Sequence, residues 1–449
     1  MNRMLQLSVS AVILSTILPA GCAIEGQRSP VPGPPPLDRM DVTMGSYGQG
    51  REQQLLLVTM EADLHDTMVH RLPISSRSNS PSQLPLAYAD FLDELSDRYG
   101  IVRVADWPLA SLGIHCLVFE LGGRRDRAST VAELNRDQRI ETAQAMQLFE
   151  TMQTQDSAPP SAKNNELASP SYDDPYLPLQ HGLVSLQAEQ SHRWASGAGV
   201  TVAVIDTGMD LQHQDLAERV LAPRNFVDRD EARFQEDIHS TAIAGVIAAS
   251  ANNGSGMVGM APDATMLPLK ACWQEELAGD GATCNSFTLA KALNVAIQSE
   301  VDVINLSLAG PRDALLERLV RTALERDVIV VGATTPAGVE QFPASVPGVI
   351  AATADVSEFS AGVLAPGHKV LSARPQDNYQ FFDGSSFSAA HIAGLAALVK
   401  EMEENGKPID LLALLERTAD PRTGEVSACR ALASLAGEGT GVCQAGPSS

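Results

Sequence analysis

The rhythm of apolar and polar positions changes along the chain. Between residues 52 and 153 short apolar runs alternate with amphipathic stretches. Leu55 to Met60 predicts a strand, and Ala87 to Tyr99 carries apolar residues at helical spacing and stops at Gly100. Ile101 to Trp107 and Ile114 to Leu121 predict two strands joined by a short turn. Ser129 to Leu134 can start a helix, with Ser129 as its cap and Glu133 near the first turn, and Ile140 to Phe149 predicts a last strand. The order strand, helix, strand, strand, helix, strand predicts a split βαβ sandwich, a small α+β domain of ferredoxin-like type. It carries no visible catalytic constellation. Residues 154 to 174, rich in Gln, Ser, Ala, Pro and Asn, predict an exposed linker.

From Gly199 the pattern becomes one of continuous apolar runs separated by helical stretches. Val200 to Ile205, Val301 to Leu308, Val328 to Ala333 and Val349 to Ala354 have the unbroken apolar character of strands buried on both faces. Thr241 to Ala249, Ser286 to Gln298 and Ala314 to Glu325 predict helices between them. The alternation predicts an α/β fold, a doubly wound and mostly parallel sheet, over residues 175 to 405, with 406 to 449 as a C-terminal extension. Sites in such sheets form at the C-terminal ends of strands, so residues there are the first candidates for chemistry.

Length and composition narrow the partners. The 449 residues suit two or three domains, and 44% hydrophobic residues supply a large core. Aromatics are only 4%, so that core is built mainly from Ala, Val, Leu and Ile. A formal charge of −23 without basic blocks speaks against a nucleic-acid partner and against charge-driven docking on anionic lipid. At the N-terminus, Arg3 precedes an apolar stretch from Leu5 to Leu18, the order of a secretory signal peptide over residues 1 to 22. Leu18-Pro19-Ala20-Gly21-Cys22 resembles a bacterial lipoprotein cleavage box, with Pro19 where an aliphatic residue is usual. Residues 23 to 51, Gly/Pro/Ser-rich from Glu25 to Pro36, then read as a tether, which favours a lipid anchor at Cys22. Ordinary cleavage near Ala23 is the alternative. Either way the protein is expected to be exported, to the outer membrane or periplasm by an anchor or to the medium without one. Export permits disulfides, and Cys272 with Cys284 and Cys429 with Cys443 are the simplest pairs, each bracketing one loop. Cys116 lies in an apolar run and reads as a small buried hydrophobe.

Three segments of the α/β region carry chemistry. Asp206 ends a strand in Val-Ile-Asp206-Thr207-Gly208. His239 opens a helix in Asp237-Ile238-His239-Ser240-Thr241, and Ser386 opens another in Gly384-Ser385-Ser386-Phe387-Ser388. A serine hydroxyl is a weak nucleophile that needs an imidazole to take its proton and a carboxylate to orient the imidazole. At a helix N-terminus it also has backbone N–H groups facing a developing oxyanion. A lone Asp-Thr-Gly is also the aspartic-protease signature, but that class needs two such motifs in β-rich lobes, and one occurs here in an α/β setting. The α/β-hydrolase order, serine first, does not apply.

In sequence and order these segments resemble the Asp, His and Ser motifs of the subtilisin-like serine peptidases, the subtilases. Gly256 to Pro262 resembles the segment after the family's His helix, and Val303 to Gly310 its substrate-binding strand. Phe342 to Ile350 and Phe359 to Ser372 follow in the family's order, so the resemblance runs from about Asp174 to Lys400. It implies a serine endopeptidase with Ser386 as nucleophile, His239 as base and Asp206 as orienting acid, with no cofactor needed for the chemistry. It implies a polypeptide substrate held by Ser307, Leu308 and Gly310, with Gly332 and Ala333 walling an uncharged first specificity pocket. The domain at 52 to 153 then resembles the family's inhibitory propeptide, and the protein its own first partner. The resemblance admits a structural calcium ion at Asp215 and Asn253 with backbone oxygens of residues 252 to 257, against a solvated Asn/Gly turn.

The departures are informative. Ser240 replaces the usual Gly after the histidine, and Phe387 and Ala390 replace the Met and Pro near the serine. More consequential, no Asn occurs between Asn305 and Asn378, where the family keeps an oxyanion donor. Loss of such a donor costs about 10²–10³-fold in kcat. Thr334 or Thr335 could offer a hydroxyl in its place. Two functions follow: an active exported endopeptidase made as a zymogen, or a catalytically weakened relative that binds peptides in the same cleft.

Overall fold

The computed structural model describes residues 51–62, 86–123, 125–153, 172–274, 281–335, 340–355, 362–403 and 407–443. The expected leader, Cys22, residues 23–50 of the tether and residues 154–171 of the linker lie outside them. Among the described residues no helix is long and apolar enough to cross a membrane.

The small domain runs β1 (Leu55–Glu61), α1 (Leu86–Tyr99), β2 (Ile101–Leu109), β3 (Ile114–Leu121), α2 (Arg127–Leu134) and β4 (Thr142–Ala145). Its sheet has the order β2-β3-β1-β4 and its pairs are antiparallel. The apolar run Leu55-Leu56-Leu57-Val58 does not alternate because both sheet faces are covered. Leu56 and Val58 point into a core with Tyr88, Leu95 and Phe119, whereas Leu55 and Leu57 point into a second one with Trp107, Phe287 and Leu319. Trp107 meets Phe287 edge to face at 4.4 Å, and the sheet thereby seats on helices of the main domain. Two details differ from the sequence pattern. The cap of α2 is Asp126, whose carboxylate accepts from Ser129 N–H at 2.7 Å, so the helix begins two residues before Ser129. The stretch read as one strand, Ile140 to Phe149, breaks into β4 and β5 (Leu148–Thr151), which belong to different sheets. At the break, Gln147 exchanges backbone bonds with Ser286: its N–H donates to Ser286 Oγ at 3.0 Å, and its carbonyl accepts from Ser286 N–H at 3.1 Å.

The main domain holds a seven-stranded sheet in which every pair is parallel: β6 (Thr201–Asp206), β7 (Arg224–Asn225), β8 (Thr265–Lys270), β11 (Val303–Leu306), β13 (Ile329–Ala333), β14 (Ile350–Thr353) and β15 (Val363–Leu364). The spatial order β15-β14-β13-β11-β6-β8-β7 reverses direction of growth at β6, as a doubly wound sheet does. Helices α3 (Ile238–Ala248), α4 (Ser286–Gln298), α5 (Ala314–Leu324) and α6 (Ser385–Glu401) cover it. Helices α3 and α6 are buried almost all round and are rich in Ala, Ile and Gly, the composition expected of central helices. Two helices beyond residue 406, Leu411–Thr418 and Ala428–Leu435, add Leu414 and Leu432 to the same core.

A third sheet, order β12-β5-β10-β9, combines β5 with three main-domain strands: β9 (Cys272–Gln274), β10 (Ala282–Asn285) and β12 (Leu308–Ala309). Val301 to Leu308 therefore does not make one strand. It passes from the parallel sheet to this one at Ser307. The cysteines pair as the loops suggested, Cys272–Cys284 and Cys429–Cys443, and Cys116 is free and buried.

Candidate active site

Asp206 ends β6 with its carboxylate out of solvent. It accepts from Thr207 N–H at 2.6 Å and lies 2.8 and 2.9 Å by its two oxygens from His239 Nδ1. With Nδ1 so engaged, Nε2 is the ring nitrogen left for proton exchange, and it makes no hydrogen bond among the described residues. His239 is fixed from behind by Phe387, 6.1 Å between ring centroids, itself stacked on Phe382 at 5.2 Å. The residue in the usual Met position thus becomes an aromatic backing for the imidazole.

The strand and helix that carry the pair are tied by an ion pair that the sequence motifs did not reveal. Asp237 accepts from Gly208 N–H at 2.7 Å and from the Lys270 ammonium, and both side chains are buried. Burial pushes the Asp237 carboxyl up, with Lys270 pulling it back. Asp206 and Lys270 are register partners in the sheet, so this pair is anchored on the strand beside the one that ends in Asp206. A Lys ending one strand and an Asp two residues before the His were the available signals.

Ser386 lies in the first turn of α6. Its hydroxyl donates to Ser307 carbonyl at 2.8 Å, and Ser307 Oγ donates back to the Ser386 carbonyl at 3.0 Å. Asn305 Nδ2 donates to Ser307 Oγ at 2.9 Å, which locks that exchange. The Ser386 N–H donates to the Met152 carbonyl at 3.2 Å. The same tail residue donates its N–H to Ser307 carbonyl at 3.4 Å. Gly384 has φ +138°, and a Cβ there would lie 2.1 Å from the Met152 oxygen, so only glycine leaves room for the tail.

Strand β5 lies in the cleft between β10 and β12, antiparallel to both. Leu308 and Ala309 pair with Thr151 and Glu150. Phe149 is fully buried, 5.6 Å from the Phe342 ring, and occupies the space above Gly310, where a Cβ would come within 2.3 Å of Phe149 Cδ1. Gly332 and Ala333 end β13; the missing Cβ of Gly332 is where the Pro343 ring sits.

Two expected roles do not match the geometry. Thr334 directs its hydroxyl at Ala352 carbonyl on the next strand, 3.1 Å away, and its N–H goes to the same oxygen at 3.0 Å. It is a strand-end clasp, not an oxyanion donor. Thr335 is buried, and the residues that follow it lie outside the described ones. The residues at Asp215 and Asn253 do not fit a calcium ion. One Asp215 oxygen accepts from Asn253 Nδ2 at 2.9 Å, and the other accepts from Tyr379 OH at 2.8 Å and Met257 N–H at 3.0 Å. Three of the about four acceptor sites of this carboxylate are taken by donors, and Asn253 presents its amine side to it, which leaves this pair short of the oxygens a calcium ion collects. Among the described residues no group of three His, Cys, Asp or Glu could hold a metal ion. His391, on the same helix as Ser386, is a packed residue: its Nδ1 is 2.8 Å from Phe387 carbonyl, and burial lowers it to about 4.

A parallel α/β sheet with a carboxylate–imidazole pair at a strand end and a serine at a helix start defines a serine hydrolase site. The family described as the Subtilase family matches residues 197–439, and the chain belongs to it. The major intracellular serine protease of Bacillus subtilis (strain 168) is 34% identical over 251 residues, covering 50% of this chain and 76% of that one. Thermitase of Thermoactinomyces vulgaris is 31% identical over 266 residues, covering 56% and 92%. Among solved structures, fervidolysin from Fervidobacterium pennivorans, a keratinolytic enzyme related to subtilisin, superposes with a TM-score of 0.65 at 21% identity, over 84% of this chain and 60% of that one. The protein is therefore a serine-type endopeptidase that needs no cofactor for its chemistry.

Proposed function

We propose that the chain is an exported zymogen whose Ser386, His239 and Asp206 form the catalytic triad and whose first substrate is its own Met152–Gln153 bond. One observation carries this reading: the Met152 carbonyl accepts from Ser386 N–H while β5 fills the cleft as an added strand. Residues 52 to 152 are then the propeptide, with Phe149 in the fourth pocket upstream of the bond and Met152 in the first. Two disulfides support folding in an oxidising compartment after removal of the leader, with Cys22 as the lipid attachment point.

The chemistry follows from the atoms. The Ser386 hydroxyl, which donates to Ser307 carbonyl, rotates to donate to His239 Nε2. Its oxygen attacks the Met152 carbonyl carbon as Nε2 takes the proton, and Asp206 stabilises the imidazolium through Nδ1. The oxyanion keeps the Ser386 N–H. Collapse breaks the C–N bond and expels the Gln153 amine, which takes the proton from Nε2, and leaves Ser386 Oγ acylated by Met152. Water, deprotonated by His239, releases the Met152 carboxylate and restores the serine. Thr334, bonded to Ala352, gives no second donor, which favours slow turnover.

The test is mass spectrometry of the exported chain together with fluorophosphonate labelling. A new N-terminus at Gln153 and a label on Ser386, both lost in Ser386→Ala, are expected. An unprocessed chain that takes no label would overturn the reading in favour of a peptide-binding relative.

A further inference from the structure

We propose that the cleft selects a hydroxyl-bearing residue, threonine or serine, at the second position upstream of the bond it cuts, and that the backbone N–H of Ala282 is the selecting group. The inference rests on the reading of β5 as the substrate strand.

Strands β5 and β10 pair residue by residue: Leu148 with Asn285, Phe149 with Cys284, Glu150 with Thr283. The next rung would join Thr151 to Ala282. There the ladder changes character, because Ala282 N–H donates to the Thr151 side-chain oxygen, at 2.9 Å. The substrate's side chain does what a backbone carbonyl does elsewhere in the sheet. Both residues are buried, Ala282 at 5% and Thr151 at 6% exposure, so water has little access to either atom. A valine or alanine at this position would leave a buried donor without an acceptor, which is costly, whereas serine keeps the oxygen.

The donor is held rigidly enough to discriminate. On its other side β10 pairs with β9, Ala282 opposite Gln274 and Cys284 opposite Cys272, and the latter two are joined by the disulfide. Gln274 Oε1 accepts from Ile238 N–H at 3.3 Å, one residue before His239. The hairpin that presents the Ala282 N–H is therefore tied to the helix that carries the base. From the opposite rim, Leu308 pairs with Thr151, so the residue is fixed on both sides. A substrate that lacks the hydroxyl cannot shift along the cleft to compensate without losing its Ser386 and Ser307 contacts.

Two measurements on the full chain test this. The first needs no activity. In a Ser386→Ala background, residue-resolved amide exchange is compared for Thr151, Thr151→Val and Thr151→Ser. Valine should speed exchange at Ala282 by about 10-fold or more while leaving Cys284 within about 2-fold, and serine should preserve protection at both. Unchanged protection of Ala282 in the valine chain overturns the proposal. The second follows the Gln153 N-terminus in the active chain: Thr151→Ser should process at nearly the wild-type rate, and Thr151→Val about 10- to 100-fold more slowly. Equal rates overturn it, as does cutting at a bond other than Met152–Gln153. If wild type is never cut yet Ala282 responds to valine, the self-processing reading fails and the recognition stands.

Discussion

On one side of the cleft, Asp206 meets His239 Nδ1 with both oxygens and takes a further bond from Thr207 N–H, with Phe387 behind the ring. On the other side a single N–H, that of Ser386, reaches the carbonyl of Met152, and the neighbouring Thr334 hydroxyl is turned away to Ala352. In the proposed triad the acid–base half is bonded at Nδ1, and Nε2, the nitrogen that would exchange a proton, makes no hydrogen bond among the described residues. The oxyanion half offers one observed donor where the chemistry profits from two. The two jobs of a serine peptidase are thus separable in structure. Proton transfer needs a buried, pre-oriented pair, and oxyanion binding needs donors aimed at an empty point. One half can be complete while the other is sparse.

Substitutions can break that contrast. The largest effect belongs to the first half: Ser386→Ala should lower kcat by about 10⁶-fold and Asp206→Asn by about 10⁴-fold, read as the rate of appearance of the Gln153 N-terminus. A fall of less than 10-fold for Asp206→Asn would mean that Asp206 does not orient the base. Next comes the support of that half. Lys270→Met leaves the buried Asp237 carboxylate with Gly208 N–H alone, and should destabilise the uncut Ser386→Ala chain by about 3–5 kcal/mol in urea. Adding Asp237→Asn should recover part of the loss, because it removes the stranded charge. The second half should respond in the opposite sense. Thr335→Asn should raise kcat by up to about 10²-fold on a peptide ester, with KM little changed, because a new amide would act on the transition state rather than on the bound substrate. The smallest effect is expected of Thr334→Val, within about 2-fold in kcat, since its hydroxyl serves Ala352. A loss of 100-fold there would restore Thr334 as an oxyanion donor.

How far the sequence could be read depends on how local each feature is. The Asp206, His239 and Ser386 segments are legible because each is a short run at a strand or helix end. The strands of the main sheet are legible because burial on both faces leaves unbroken apolar runs. Illegible features depend on distant partners. The run breaks at Gln147, between β4 and β5, where Ser286, 139 residues away, takes its N–H. Ser307 divides an apolar run because the cleft rim turns there, which no periodicity signals. Thr334 and Thr335 look equivalent in sequence, and only the position of Ala352 gives the first its direction. The same holds for Asp215. Asn253 is legible as part of an Asn/Gly turn, but no local rule places Tyr379, 164 residues on from Asp215, beside that carboxylate.

That last contact has a consequence for the environments in which the loop stays closed. A loop held by a bound ion has a closing free energy that rises with the logarithm of ion activity, so dilution or a chelator loosens it. Around Asp215 the cross-links are covalently part of the chain: an amide, a phenol and a backbone N–H. Burial and the adjacent carboxylate push the Tyr379 phenol above its ordinary range, so it keeps its proton into alkaline solution. The closing of this loop is therefore expected to show no slope against calcium activity, read as equal thermal unfolding in hard water, in soft water and with a chelator.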